Sequence, residues 1–241
     1  IIPSRLDAQI LPNKPLKLIN NKEMILHVYE AAKKSNVGDV FIATPDQKIA
    51  SLVQSFGGKA ILTNGNHETG TDRVFEVFKK TLNSSPDIII NLQGDMPNID
   101  PQDIKSLNDY MTLKKCDIGT LVSKLNSISE IEDPNIVKAL VKEKMEPGMF
   151  VKALDFFRIN PPKELKIYHH VGIYAFTNEA LLRYVSLQRS KLEIERKLEQ
   201  LRAIEDKMNI HVGYIKSSPL SVDTNEDLIN IKKIMENNEK K

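Results

Sequence analysis

At 241 residues, 41% apolar and 27% charged, the chain is long enough for one large α/β domain or two small ones. Its 34 basic and 32 acidic side chains leave a formal net charge of +2, which excludes a nucleic-acid or membrane partner that relies on a strongly basic surface. A single cysteine, Cys116, excludes an internal disulfide and makes a reducing cytosol the expected compartment, and no apolar run approaches the ~20 residues that span a bilayer.

Ile1-Ile2 reads as the apolar end of a strand entered without an initiator Met, so native residues upstream are expected. It runs into a polar loop ending at Leu16, flanked by the cations Arg5 and Lys14 and stiffened by Pro3, Pro12 and Pro15. Fixed cations just past a buried strand suit an anionic ligand such as a polyphosphate, although such loops also serve structure alone. Neither G-x-x-x-x-G-K-[ST] nor G-x-G-x-x-G occurs. Residues 24–34 place Ile25, Val28, Tyr29 and Ala32 on one helical face. Residues 39–44 read as a buried strand, Ile49, Leu52, Val53 and Phe56 mark a helix stopped by Gly57-Gly58, and 60–62 form a third strand. A helix from Thr69 carries Val74, Val77, Phe78 and Leu82. The most apolar strand, 87–92, is expected at the centre of the sheet, delivering Gln93-Gly94-Asp95-Met96-Pro97 at a carboxyl end where ligands of open α/β sheets bind. Asp100-Pro101 reads as an N-cap with Pro at N1, ahead of Ile104, Leu107 and Met111.

The second half is less regular. Strands are expected at 118–122, at 136–141 as an edge or antiparallel arm, and at 167–176, whereas 142–165, broken by Pro147, Gly148, Pro161 and Pro162, carries no firm assignment. One helix is expected over 192–208 with Leu192, Leu198, Leu201, Ile204 and Met208 inward. A strand at 210–215 precedes a terminal helix bearing Leu228, Ile231 and Ile234, and 237–241 reads as a solvated tail. The alternation of short apolar runs with amphipathic stretches argues for strands crossed over by helices.

Asp95 and Asp223 each stand where a strand hands over to a loop or helix, and two carboxylates with substrate phosphates and water are a common Mg²⁺ set. Asp95 is equally a turn former after Gly94, and Asp223 precedes a Thr224-x-x-Asp227 capping box that the helix dipole favours anyway. Arg73, one turn into its helix, suits a base or phosphate, yet arginines there are more often solvent-exposed. His169 and His170 point to opposite faces of a strand, so one faces inward as a core histidine or a ligand. Glu199 and Gln200 would ordinarily share a solvated face with Arg196 and Arg202. Without H-E-x-x-H or a Cys/His cluster, no zinc site is expected.

Six stretches in order carry a resemblance over nearly the whole chain, weakest over 142–165. Ile1-Ile2-Pro3-Ser4-Arg5-Leu6 with Leu11-Pro12-Asn13-Lys14-Pro15-Leu16 resembles the opening of the sugar cytidylyltransferases. Gly70-Thr71-Asp72-Arg73, Asn91-Leu92-Gln93-Gly94-Asp95-Met96-Pro97, His170-Val171-Gly172-Ile173-Tyr174, Leu198-Glu199-Gln200-Leu201-Arg202 and Val222-Asp223-Thr224 follow as in the branch that acts on 3-deoxy-manno-octulosonate, Kdo. The resemblance implies an α/β chain with a three-layer, Rossmann-like nucleotidyltransferase fold and a mixed, mostly parallel sheet. It implies a single domain over 1–241, in which about 120–190 contributes a sugar-binding and dimerisation subregion.

The implied activity couples CTP to Kdo for lipopolysaccharide synthesis, releasing pyrophosphate, in a cytoplasmic homodimer. By resemblance, Arg5, Lys14 and Asp95 are catalytic, and Arg5, Lys14, Arg73 and Gln93 bind CTP. Gln93, Arg158, His170, Tyr174, Glu199 and Gln200 line the Kdo pocket, and Asp95 with Asp223 holds the cofactor Mg²⁺. Cytidylyl transfer to another acidic sugar, 8-amino-Kdo or a sialic acid, is the nearest alternative, and a nucleotide-binding homologue with weakened catalysis the next. The chain departs from the family pattern at Ile10, where an Arg is usual, at Ala8 in place of a small hydroxyl residue, and at Met96 in place of Glu. It departs also at Pro45 in place of Asp and at Lys191 in place of Pro.

Overall fold

The opening apolar residues form a short strand, β1 (Ile2–Pro3), whose carboxyl end is the loop holding Arg5 and Lys14. The computed structural model describes residues 1–7, 9–81, 86–113, 116–159 and 166–239, so Ala8 and the predicted core residue Leu82 lie outside the described residues. These residues form two units, the first comprising Ile1–Leu82, Asn91–Lys105 and Pro219–Lys241 and the second Asn83–Ile90 and Ser106–Ser218.

In the first unit, β2 (Leu18–Ile19) and β3 (Lys22–Glu23) make an antiparallel hairpin that the sequence reading passed over. Its two loop residues, Asn20 (φ 47°) and Asn21 (φ 64°), are both left-handed, the geometry of a type I′ turn that asparagine tolerates. Helix α1 (Met24–Lys34) buries Ile25, Val28, Tyr29 and Ala32, as their spacing predicts. Then follow β4 (Phe41–Thr44), α2 (Gln47–Ser55), β5 (Lys59–Leu62) and α3 (Gly70–Thr81). Gly57 (φ 78°) ends α2 in a conformation that a side chain would strain. The sheet order β1-β4-β5 is parallel throughout, with Ile2 opposite Ile42 and Ile42 opposite Ala60.

Strand β6 (Ile88–Leu92) lies at one end of a six-stranded order instead of at its centre. Its apolar run reflects burial of Ile89 and Leu92, and the Leu92 N–H donates to the Ile1 carbonyl at 3.1 Å. Helix α4 (Pro101–Leu113) opens with Asp100 Oδ1 accepting the Gln102 N–H at 2.8 Å and buries Ile104, Leu107 and Met111, as predicted.

The second unit continues with β7 (Ile118–Ser123), α5 (Ile128–Glu132), β8 (Lys138–Val141), β9 (Phe150–Phe157) and β10 (Lys166–Thr177). Next come α6 (Asn178–Ser186), α7 (Lys191–Arg196), α8 (Leu201–Glu205) and β11 (Ile210–Tyr214). The sheet order is β6-β10-β7-β11-β9-β8, and β8 pairs back onto β10, so β8 is an antiparallel arm with neighbours on both sides. Strand β11 runs parallel to β7 and antiparallel to β9. Strand β9 fills part of the stretch left unassigned. Its alternation slips where β8 shifts register, Val141 facing Ala153 and Leu140 facing Asp155, which leaves Leu154 exposed.

The single helix expected over 192–208 is two. Lys197 adopts the left-handed conformation (φ 54°) at the end of α7, and Leu198, Leu201 and Met208 are buried while Ile194 is exposed. Returning to the first unit, α9 (Asn225–Glu239) packs Leu228 and Ile231 against Leu11, Ile19, Met24 and Val222. Ile234, on the same helix, is exposed.

Candidate active site

Lys14 joins the two carboxylates singled out from sequence. Asn13, left-handed at φ 56°, introduces one 3-10 turn, Lys14–Leu16, with Pro15 buried beneath it. The Lys14 ammonium then donates to Asp95 Oδ2 and to Asp223 Oδ1, each at 2.9 Å. Burial by itself lowers the pKa of this lysine, but the carboxylates, Asp95 first, outweigh it and hold the pKa above the ordinary value. The bridge is therefore charged at neutral pH.

The carboxylates converge because their backbones are tied. The Val222 N–H donates to the Asp95 carbonyl at 2.9 Å, and the Leu220 N–H donates to Asn98 Oδ1 at 2.9 Å. Gly94 lets this turn close, since a Cβ there would lie 3.1 Å from the Pro3 carbonyl oxygen and 3.2 Å from Ile25 Cδ1. The helix cap does not compete for Asp223. Thr224 and Asp227 bond each other reciprocally, at 2.8 Å and 3.1 Å, so the Asp223 carboxylate is left to Lys14, to the Ser221 hydroxyl at 3.5 Å and to solvent.

Beside this bridge is a cavity of about 290 Å³ lined by Ser4, Arg5, Pro15, His67, Glu68, Thr69, Gly70, Arg73, Gln93 and Asp95. Arg5 is exposed at its mouth. Arg73 is buried, against the expectation of solvent exposure. Its guanidinium donates to Thr63 Oγ1 at 2.5 Å, to the Asn64 carbonyl at 2.9 Å and to the Gly65 carbonyl at 3.3 Å, which uses it to shape the loop forming one wall. Its pKa is lowered by burial and then by the charge of Arg5, so two cations act on one cavity. Gln93 Nε2 donates to Asn91 Oδ1 at 3.2 Å, and the buried Asn91 donates to Thr71 Oγ1 at 3.2 Å. His67 and Glu76, which tie the same loop, were not singled out from sequence; their signal is the three-residue spacing of Arg73 and Glu76 on one helical face.

The remaining sugar-pocket candidates lie in the second unit, whereas Gln93, expected to touch both substrates, lies in the first. His170 on β10 is buried, and its Nε2 bonds Thr120 Oγ1 at 2.9 Å. The Thr120 hydroxyl spends its proton on the Ile173 carbonyl at 2.7 Å, so it accepts from His170 and Nε2 carries the ring proton. Burial, then His169, pushes the His170 pKa down to about 3, leaving a neutral ring.

A bulge between Val171 and Tyr174 shifts the strand register at the motif glycine, and the His170 and Tyr174 rings stand 5.5 Å apart. The Tyr174 hydroxyl is driven well above its ordinary pKa by burial and by Glu199, with Arg158 opposing, so both charges act on it. Arg158 donates to the Pro134 carbonyl at 3.0 Å and to the Lys197 carbonyl at 3.5 Å. Glu199 and Gln200 sit on the corner between α7 and α8 and not along a solvated helix face. Gln200 and Arg202 are buried there, and Arg202 makes a bidentate pair with the buried Glu193 at 2.8 Å and 2.7 Å. Tyr184 closes the corner, its hydroxyl donating to the Glu199 carbonyl at 2.8 Å.

The Cytidylyltransferase family matches residues 1–210. A 3-deoxy-manno-octulosonate cytidylyltransferase of Rhodospirillum centenum is 41% identical over 95% of this chain and 89% of its own length. That of Bartonella tribocorum is 40% identical over 98% of this chain and 97% of its own. The chain belongs to the family of 3-deoxy-manno-octulosonate cytidylyltransferases. A solved CMP:2-keto-3-deoxy-manno-octonic acid synthetase complexed with CTP superposes with a TM-score of 0.88 at 37% identity, covering 98% of this chain and 97% of that one. A cytidylyltransferase from Leptospira borgpetersenii, 18% identical with a TM-score of 0.63, shares the fold.

For a cytidylyltransferase the first-unit site offers cations to a triphosphate and carboxylates to a metal. Among the described residues no group of three or more His, Cys, Asp or Glu is placed to hold an ion. The pair Asp95 and Asp223 nonetheless fits Mg²⁺, which takes one or two carboxylates and completes its shell with phosphate oxygens and water. Asp223, 60% exposed, leaves room for them.

Proposed function

We propose that the chain transfers CMP from CTP to Kdo and releases pyrophosphate. The observation that carries this is the Lys14 bridge between Asp95 and Asp223 beside a cavity bearing Arg5, in a chain about 40% identical to Kdo cytidylyltransferases. An entering triphosphate competes with the two carboxylates for the Lys14 ammonium, and Arg5 supplies a second, forked donor set for phosphate oxygens. The anomeric hydroxyl of Kdo attacks the α-phosphorus and gives its proton to water, the new P–O bond forms as the bond to pyrophosphate breaks, and Arg5 and Lys14 offset charge growing on the leaving group.

Asp95 and Asp223, once released by Lys14, would hold Mg²⁺, and the ion would supply polarisation of the α-phosphate. Arg158, His170, Tyr174, Glu199 and Gln200 receive the acidic sugar, with His170 as a neutral acceptor through Nδ1 and Arg158 as the positive charge. A homodimer in the cytoplasm completes the proposal. It is supported by the family resemblance, by the single buried Cys116, and by the lack, among the described residues, of a helix long and apolar enough to cross a membrane. Pyrophosphate release with CTP, Mg²⁺ and a panel of Kdo, 8-amino-Kdo and sialic acid tests the reaction, and sedimentation tests the dimer. Turnover with sialic acid but not Kdo would overturn the sugar assignment.

A further inference from the structure

The loop from Thr63 to Thr69 leaves β5, enters α3 and forms one wall of the cavity through His67, Glu68 and Thr69. Backbone groups in such a connection need partners, because an unpaired buried N–H or C=O is costly. Here α3 supplies them. Glu76 accepts the Asn64 N–H with both carboxylate oxygens, at 3.2 Å and 2.9 Å, and accepts His67 Nε2–H at 2.5 Å. Arg73, one turn earlier, takes the Asn64 carbonyl, so one residue of the loop is held at both its donor and its acceptor. The far end is fixed separately by Thr69 and Asp72, which cap α3 with mutual bonds of 2.8 Å and 3.2 Å. The middle of the loop, His67 included, therefore depends on Glu76 and Arg73.

We propose that Glu76 is a positioning residue for the nucleotide, locking residues 63–69 into the shape that forms a wall of the CTP cavity. The proposal rests on the reading of that cavity as the CTP site. Glu76 does not itself line the cavity. It acts from behind the loop, in the manner of an outer group orienting a binding residue, and Lys80 holds it there at 2.5 Å while also donating to the Leu62 carbonyl at 3.0 Å. Burial alone would raise the carboxyl, but Lys80, His67 and the Asn64 N–H pull it down to about 2, so the anchor is ionised across the working pH range.

The test compares steady-state kinetics of purified Glu76→Gln with wild type, varying CTP and Kdo separately. The amide keeps the volume but sets an N–H₂ against donors it cannot bond. If about a tenth of the molecules then hold the competent loop, KM for CTP rises about ten-fold while KM for Kdo stays within about two-fold and kcat at saturating CTP is little changed. Lys22→Met removes the ion pair with Glu30, 2.7 Å long and in the same unit but without a bond to this loop. It should lower the melting temperature without moving KM for CTP, which separates loop positioning from general stability. Should Glu76→Gln not fold, Glu76→Asp, which keeps the charge and withdraws it by one methylene, carries the same expectation. A folded Glu76 variant with wild-type KM for CTP overturns the proposal. A wild-type protein whose melting temperature ignores millimolar CTP overturns the cavity reading instead.

Discussion

Replacing Lys14 by Met removes the bridging charge and keeps most of the packed stem. The bond to Asp95 is partly buried, with side chains 17% and 23% exposed, and a charge-assisted bond of this kind contributes about 1.5–3 kcal/mol. The bond to Asp223 is open to solvent and contributes about 0.2–1 kcal/mol. The variant also leaves two carboxylates facing one another without a cation. Together these effects predict a loss of about 2–3 kcal/mol, roughly 5–10 °C in melting temperature for a chain of this size.

Because the pKa of Lys14 is raised, this stability is fully present below the ordinary lysine value of 10.5 and is lost only as pH rises through the raised value. The gap between variant and wild type should thus be flat from pH 6 to 9. The same substitution should expose a metal site. In wild type a divalent ion must displace the ammonium; in the variant it meets an unneutralised carboxylate pair. Titration with Mn²⁺ in the absence of CTP, followed by electron paramagnetic resonance and by melting temperature, should show binding to Lys14→Met and much weaker binding to wild type. Equal affinity for Mn²⁺ with unchanged stability would refute the bridge.

Further outcomes follow from other sites. His170 titrates near 3 when folded and near 6.5 when unfolded, so its contribution is present above 6.5 and declines by about 1.4 kcal/mol per pH unit below it. Urea midpoints from pH 7 to 4 should fall less steeply in His170→Gln, and parallel profiles would contradict the buried neutral ring. Tyr184→Phe deletes only the hydroxyl that bonds the Glu199 carbonyl, which should cost about 1 kcal/mol and raise KM for Kdo about three- to ten-fold with KM for CTP unchanged. Ile10 is 73% exposed and does not pack inward beside the buried Leu11, so Ile10→Arg should fold with stability within about 0.5 kcal/mol of wild type. If the side chain reaches the phosphates, KM for CTP should fall by about one to two powers of ten, and an unchanged KM would place position 10 outside their reach.

What was legible in the sequence is what depends on local pattern. Helix α1, the strand at 41–44 and the N-cap at Asp100 answer to spacing and capping rules that act within a few residues. What was illegible depends on partners far along the chain. Strand β9 loses its alternation because its pairing with β8 skips Leu154, which bulges out between Ala153 and Asp155. The break at Lys197 has no Gly or Pro to announce it. Its trace is the six-residue step from Leu192 to Leu198, which no single helical stripe accommodates, and the corner is held instead by Glu193 reaching Arg202 and by Tyr184 reaching Glu199. The hairpin at Asn20-Asn21 had a signal, the paired asparagines, but flanking strands of two residues each were too short to carry a period.

The candidate site divides along the same line. Arg5 and Asp95 were recognisable because each follows closely on a strand, Lys14 because it stands in the same polar loop as Arg5, and Asp223 because it stands just ahead of a helix; fixed charge at such places serves a ligand or a cap and not the core. For Asp223 the choice between those two needed the structure, which gives the cap to Thr224 and Asp227 and leaves the carboxylate to Lys14. Arg73 and Glu76 were harder because a buried or half-buried charge on an amphipathic helix looks, from sequence, like a solvated face. They differ from a solvated face in what they hold: the backbone of a loop with a ligand cavity in front of it. Charges packed behind such a loop, Arg73 buried and Glu76 half-buried, would be wasteful as a stabilising device, since desolvated charges seldom outperform apolar packing. Specifying the shape of a wall is a task that apolar packing does less well, because hydrogen bonds fix direction as well as distance.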